Sequence, residues 1–138
     1  MLKRIPNPSK VKGIKVVESF VLAKGSAICL PGFGILISSS IPESIRLEII
    51  QHEYGHYLDY LFGIEGDRKK FLGSAFLGFY LKIGLPSLLN LIPGFNRLPW
   101  FKGSHRVFWT EIRANRLAHT YFQNDLAEGF SRRFPTQD

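Results

Sequence analysis

Apolar positions along this chain change their period near residue 40. Before that point they bunch in short, β-branched runs: Ile14, Val16, Val17, Phe20 and Val21, then Ala27 to Leu30, then Ile35, Leu36 and Ile37. Lys24-Gly25-Ser26 and Pro31-Gly32-Phe33-Gly34 separate the runs with turn-forming residues. Such runs predict strands, because side chains branched at Cβ pack well on a pleated surface. The first 40 residues therefore predict a small antiparallel sheet. Residues 1–13, rich in Pro, Lys and Gly, predict an N-terminal arm leading into it.

Beyond residue 40 the period is helical. Ile45, Ile49, His52 and His56 recur at spacings of three and four, and so do Leu47, Ile50, Tyr54, Leu58 and Leu61. Ser40 and Glu43 stand at capping-box spacing, with Pro42 in the first turn, where its missing N–H is tolerated. Gly63 is a plausible stop. The prediction is a helix over residues 41–62. A second helical stretch starts at Ser104 or Thr110 and runs to Gln123. The tail, residues 124–138, is polar, contains Gly129 and Pro135, and is expected to be loosely held.

Between the two helices, Phe71 to Pro93 is nearly all apolar, interrupted by Lys82, Pro86, Asn90 and three glycines. Its length is that of a membrane span. Lys82 near its middle and the break at Gly84-Leu85-Pro86-Ser87 argue instead for a buried helical hairpin. A hairpin lying on a membrane surface is the alternative. The fold class that follows is α+β, one domain over residues 1–138. A small sheet packs on the two helices, with an apolar hairpin between them.

Composition adds bounds. A chain of 138 residues that is 45% hydrophobic can bury a core without disulfide staples. Its one cysteine, Cys29, lies in an apolar run and reads as a core residue. The net charge is +7, but no basic run reaches the length of a nucleic-acid-binding tail, so nucleic acid is not an expected partner. Attraction to an anionic membrane surface through residues 71–93 stays open. Met1-Leu2-Lys3-Arg4-Ile5-Pro6 leads into no apolar stretch, so no secretory signal is read there, and the expected location is cytoplasmic or membrane-associated. The pattern does not set the oligomeric state.

The chemistry lies at His52-Glu53-Tyr54-Gly55-His56. On a helix, residues four apart lie one turn apart on one face, so both imidazoles can bind one metal ion. Glu53 stands beside them, where a carboxylate can take a proton from water. Zinc suits nitrogen and oxygen donors in a tetrahedral site with one position open. The extended metzincin pattern needs a glycine at position 59 and a histidine at position 62; Asp59 and Phe62 stand there, which excludes that class. A third ligand must come from elsewhere. Phe108, Glu111, Asn115, Ala118 and Phe122 share one helix face. Two polar residues on an apolar face are unfavourable unless both are used. Glu111 as metal ligand, with Asn115 accepting the free N–H of a ligating histidine, would use both. Asp59 reads either as a further acceptor near the histidines or as a solvated helix carboxylate.

A His-Glu-x-x-His helix followed by a Glu-x-x-Ala-Asn helix resembles the gluzincin metallopeptidases, among them the thermolysin-like enzymes and the very small minigluzincins. The resemblance covers residues 35–62 and 104–122. It implies a zinc-dependent hydrolysis of peptide or protein substrates, with His52, His56 and Glu111 as zinc ligands and Glu53 as general base. Asn115 stands where an Asp is commoner, a departure that would make the histidine less basic. The scheme needs a second oxyanion donor besides the metal. His105 is favoured for that role, with Tyr57 and Tyr121 as other candidates, while His119 reads as a helix-surface histidine. The strand before the active-site helix, Ile35 to Ser38, would be the sheet edge that pairs with substrate. Two other readings compete: a zinc-binding module of the same fold without turnover, and a membrane-associated protein acting through residues 71–93.

Overall fold

The computed structural model of the chain describes residues 1–66 and 109–136. The apolar hairpin expected over residues 71–93, the preferred oxyanion donor His105 and the loop between them lie outside the described residues. The architecture is α+β. Four strands, β1 (Leu2–Ile5), β2 (Val16–Ser19), β3 (Ala27–Leu30) and β4 (Gly34–Ser38), form one sheet. Among the described residues three α-helices follow: α1 (Glu43–Gly66), α2 (Trp109–Phe122) and the short α3 (Phe130–Arg133). A 3-10 turn, Gln123–Asp125, continues from α2.

The sheet corrects the antiparallel expectation. Its order is β1-β2-β4-β3, and β2 runs parallel to β4, with Val16 opposite Ile35 and Ser19 opposite Ser38. β3 does not pair with the strand before it; it lies antiparallel on the outer side of β4. Burial explains the arrangement. Every residue of β2 and of β4 is buried, so the backbone groups on both sides of each strand need partners, and the two middle positions supply them. β3 is left at one edge. The other edge is β1, which forms inside the expected N-terminal arm by pairing Leu2 with Ser19 and Ile5 with Val16.

Helix α1 begins at Glu43 and passes Gly63. Its capping box is not used as expected. The Ser40 hydroxyl accepts the Gly25 N–H at 2.8 Å and lies 2.8 Å from the Ser38 hydroxyl, tying the helix start to the turn before β3. Glu43 instead pairs with Arg46 at 3.1 Å, and Arg46 reaches back to Glu18 of β2 at 2.6 Å. The core forms where Val16, Ile35 and Ile37 of the sheet meet Ile50, Tyr54 and Leu58 of α1, Ala118 and Phe122 of α2, and Phe130. Each of the Val, Ile, Leu and Phe side chains among these contributes about 1.5–3 kcal/mol by leaving water.

The C-terminal tail is not loosely held. Phe130 is fully buried. Gln51 of α1, also buried, donates to the Asp125 carbonyl at 2.8 Å and accepts the Ala127 N–H at 2.8 Å. Arg133 pairs with Glu48 at 2.6 Å. The polar composition hid these few anchors. Among the described residues no helix is long and apolar enough to cross a membrane.

Candidate metal centre

The site is built where α1 crosses α2. His52 and His56 stand one turn apart on α1, their rings edge to face with centroids 5.0 Å apart. Between them lies Gly55. A Cβ there would overlap the carbonyl oxygen of Ala114 and come within 3.2 Å of the Ala118 Cβ. The missing side chain therefore lets the two helix backbones touch. Glu111 lies one turn before Ala114 on α2, and this close crossing brings its carboxylate onto both histidines.

Glu111 Oε2 lies 3.0 Å from His52 Nε2, and Oε1 lies 3.3 Å from His56 Nε2. One donor atom from each of the three residues falls within 4.8 Å of the others, and all three side chains are buried. Such a group could hold a metal ion.

Asn115, one turn after Glu111, is buried and fixes one ring. Its Oδ1 lies 2.6 Å from His52 Nδ1, and its Nδ2 donates to the Pro135 carbonyl at 2.7 Å. A carbonyl only accepts, so the amide nitrogen faces Pro135 and the amide oxygen faces His52. His52 Nδ1 therefore carries the hydrogen. Nε2, the ring's other nitrogen, meets a carboxylate oxygen at 3.0 Å, and two lone pairs at that distance require a cation between them, a proton or a metal ion.

The electrostatics of His56 and Glu111 point the same way. Burial alone would push His56 down, but Glu111 beside it, with help from Glu53 and Asp59, raises it to about 9. Burial would push Glu111 up, yet the two histidines hold its carboxyl well below the usual carboxylate range. The charge of each group thus favours that of the other at the His56–Glu111 contact.

Glu53 is buried beside the histidines, and its charge acts on His56 and on Cys29 of β3. Asp59 is buried, which removes the reading as a solvated carboxylate. It does not hydrogen-bond a histidine either. Its Oδ1 lies 2.7 Å from Arg113 Nε in an ion pair whose alignment falls short of a hydrogen bond, and neither oxygen has a hydrogen-bond partner among the described residues. It reaches His56 by charge alone. Tyr57 and Tyr121 are committed elsewhere: their hydroxyls donate to the Gly13 and Lys10 carbonyls at 3.0 and 2.9 Å. His119 is exposed, as a surface histidine should be.

The expected substrate edge is corrected. β4, containing Ile35 to Ser38, lies inside the sheet between β2 and β3, so its backbone is already paired on both sides. The edge strand that packs on α1 is β3. Sequence reading also missed three contributors. Gly55 was legible as a glycine in a helix interior, where it is destabilising unless a neighbour needs the space. Phe134, whose ring stacks on His52 with centroids 4.2 Å apart and planes 6° apart, left only a faint signal, an apolar residue four after Phe130. Pro135 acts through its backbone carbonyl, which no residue type announces. Compared with family models, curated proteins and solved structures, the chain matches none of them.

Proposed function

We propose that this chain is a zinc-dependent peptidase of the gluzincin type, with His52, His56 and Glu111 as metal ligands and Glu53 as general base. The observation that carries the reading is the buried convergence of two imidazole nitrogens and one carboxylate, with the Nδ1 of one imidazole already bonded to Asn115. The donor set fits zinc. Tetrahedral zinc with bonds of about 2.0–2.1 Å spaces its ligands about 3.3 Å apart. The Glu111 oxygens lie 3.0 and 3.3 Å from the two histidine nitrogens. The pairing of a ligating histidine with a neighbouring amide oxygen is the usual support of such a centre.

When bound, zinc supplies a Lewis acid that acidifies a water molecule and polarises a carbonyl. The chain's own residues do the rest. Glu53 takes a proton from the water as its oxygen attacks the scissile carbonyl carbon, and returns that proton to the amine nitrogen as the C–N bond breaks. Asn115 holds His52 with its Nε2 toward Glu111. Burial of the cluster strengthens each of these electrostatic interactions. The edge strand β3, which has one paired neighbour among the described residues, offers backbone donors and acceptors to an extended peptide. Cys29 on β3 lies within charge reach of Glu53, so a peptide bound along that edge would run past the base.

Zinc content and cleavage of an unstructured peptide mixture test the reading together. Wild type should carry about one zinc per chain, as one three-ligand site requires, and His52→Ala and Glu111→Ala should lose it. Glu53→Gln should keep the zinc and cleave at least about a hundredfold more slowly. Zinc without cleavage in the wild type would leave a metal-binding module. No zinc after reconstitution would overturn both readings.

A further inference from the structure

The C-terminal segment touches the site in a way that catalysis does not require. Phe134 lies flat on the His52 ring, with centroids 4.2 Å apart and planes 6° apart. The next residue, Pro135, accepts the Asn115 amide N–H at 2.7 Å. Thr136 accepts Arg116 Nε at 2.7 Å. Behind these contacts the segment is anchored, with Phe130 fully buried against Phe134 and Arg133 paired with Glu48. The tail therefore meets one metal-ligand candidate twice, once on its ring face and once through the residue that bonds its Nδ1.

We infer that Phe134 and the Pro135 carbonyl are positioning groups for His52, so that docking of the C-terminal segment and binding of the metal stabilise each other. The inference rests on the zinc reading above. Asn115 would otherwise be free to rotate its amide, presenting Nδ2 to His52 and demanding the wrong tautomer. The Pro135 carbonyl, which accepts and never donates, allows one orientation. Phe134 removes the ring's remaining freedom, rotation out of the plane that aims Nε2 at Glu111. The same geometry explains why Asn rather than Asp suits position 115. A carboxylate would accept from His52 equally well, but it has no hydrogen for Pro135 and would set two acceptors against each other.

Coupling of this kind is reciprocal. Whatever factor the docked tail adds to zinc affinity, zinc must add to the docking of the tail. Partners that hold a ligating histidine typically carry 10–100-fold in metal affinity, so the expected size is about tenfold.

Zinc affinity by competition with a chromophoric chelator, the cobalt(II) visible spectrum, and hydrogen exchange over residues 130–136 make the test. Phe134→Ala should bind zinc about tenfold more weakly and shift the cobalt bands, while Phe134→Tyr, which keeps the ring, should restore both. A chain ending at Arg133 should lose more than Phe134→Ala. In the unmodified protein, zinc should slow exchange in the tail by about the same tenfold factor, a readout that needs no variant to fold. Wild-type zinc affinity in a folded Phe134→Ala, or tail exchange unchanged by zinc, would overturn the inference while leaving the metal site standing. Absence of zinc from the wild type would instead overturn the metal reading, and this one with it.

Discussion

Glu111 and Asp59 both act on His56 by charge, and both are buried to the same degree, 2% exposed. Glu111 comes from α2 and meets both imidazole nitrogens. Asp59 sits three residues on along α1 and, among the described residues, pairs with Arg113, which is half exposed. Their protonation follows their company. Burial pushes each carboxyl up, but the two histidines reverse this for Glu111, while Arg113 and His56 fail to reverse it for Asp59. Burial alone thus does not mark a functional carboxylate. What separates the two is convergence of several partners onto one point, which Glu111 has among the described residues and Asp59 lacks.

The largest expected effect separates the two. Glu111→Gln removes an anionic donor and should weaken zinc binding more than about a hundredfold, beyond the 10–100-fold that supporting residues carry. Equal zinc affinity in wild type and Glu111→Gln, measured by chelator competition, would erase the distinction between the two carboxylates.

Gly55→Ala attacks the distance on which the distinction depends. The new methyl would overlap the Ala114 carbonyl, which is backbone and cannot swing aside, so α2 must move off α1. Overpacking of this kind typically costs about 1–3 kcal/mol. Chemical denaturation should show that loss in the metal-free protein, and zinc affinity should fall with it, since Glu111 rides on the displaced helix. An unchanged denaturation midpoint would mean that the crossing is looser than the backbone contact implies.

These contrasts bear on what the sequence could reveal. His52 and His56 were legible because helical spacing is local: four residues fix one turn and one face. Glu111 and Asn115 were legible because a polar pair on the apolar face of α2 has to be explained. The strand order was not legible, since a parallel β2–β4 pair depends on which strands need two neighbours, and runs of similar apolarity do not say so. Ile35 to Ser38 was expected at an edge and lies inside for that reason. The tail was misjudged because its hold on the protein rests on Phe130, Phe134 and backbone carbonyls, against a polar average. Composition is blind to a carbonyl.

A smaller effect sharpens the comparison through pH. In the metal-free protein His56 is raised from 6.5 to about 9 by its carboxylate neighbours. A histidine raised in the folded state adds stability that is fully present below its unfolded value and is lost as pH rises through the folded one. Between pH 6.5 and 9 the folded chain holds a proton that the unfolded chain has released. Stability should therefore fall with rising pH, by at most about 1.4 kcal/mol per unit. The depressed Glu111 is the other half of the same pair and is not counted again. In the proposed zinc site the metal would take the place of that proton, so adding zinc should abolish the slope. Denaturation midpoints across this range, with and without zinc, give the answer, and parallel slopes would remove His56 from the ligand set.

The smallest change is expected at Asp59, and its sign is informative. Asp59→Asn removes a charge that burial disfavours and leaves Arg113 half exposed to water, able to solvate itself. Replacing a poorly compensated buried ion by a neutral group of the same shape is often neutral or stabilising. The metal-free protein should keep its denaturation midpoint or gain slightly at neutral pH, where the raised carboxyl of Asp59 is a burden to the fold. Zinc affinity should stay within a few-fold, the change expected from the loss of one distant charge acting on His56. A drop as large as that of Glu111→Gln would mean that Asp59 holds His56 in place by more than charge. The site would then have two working carboxylates acting on one histidine.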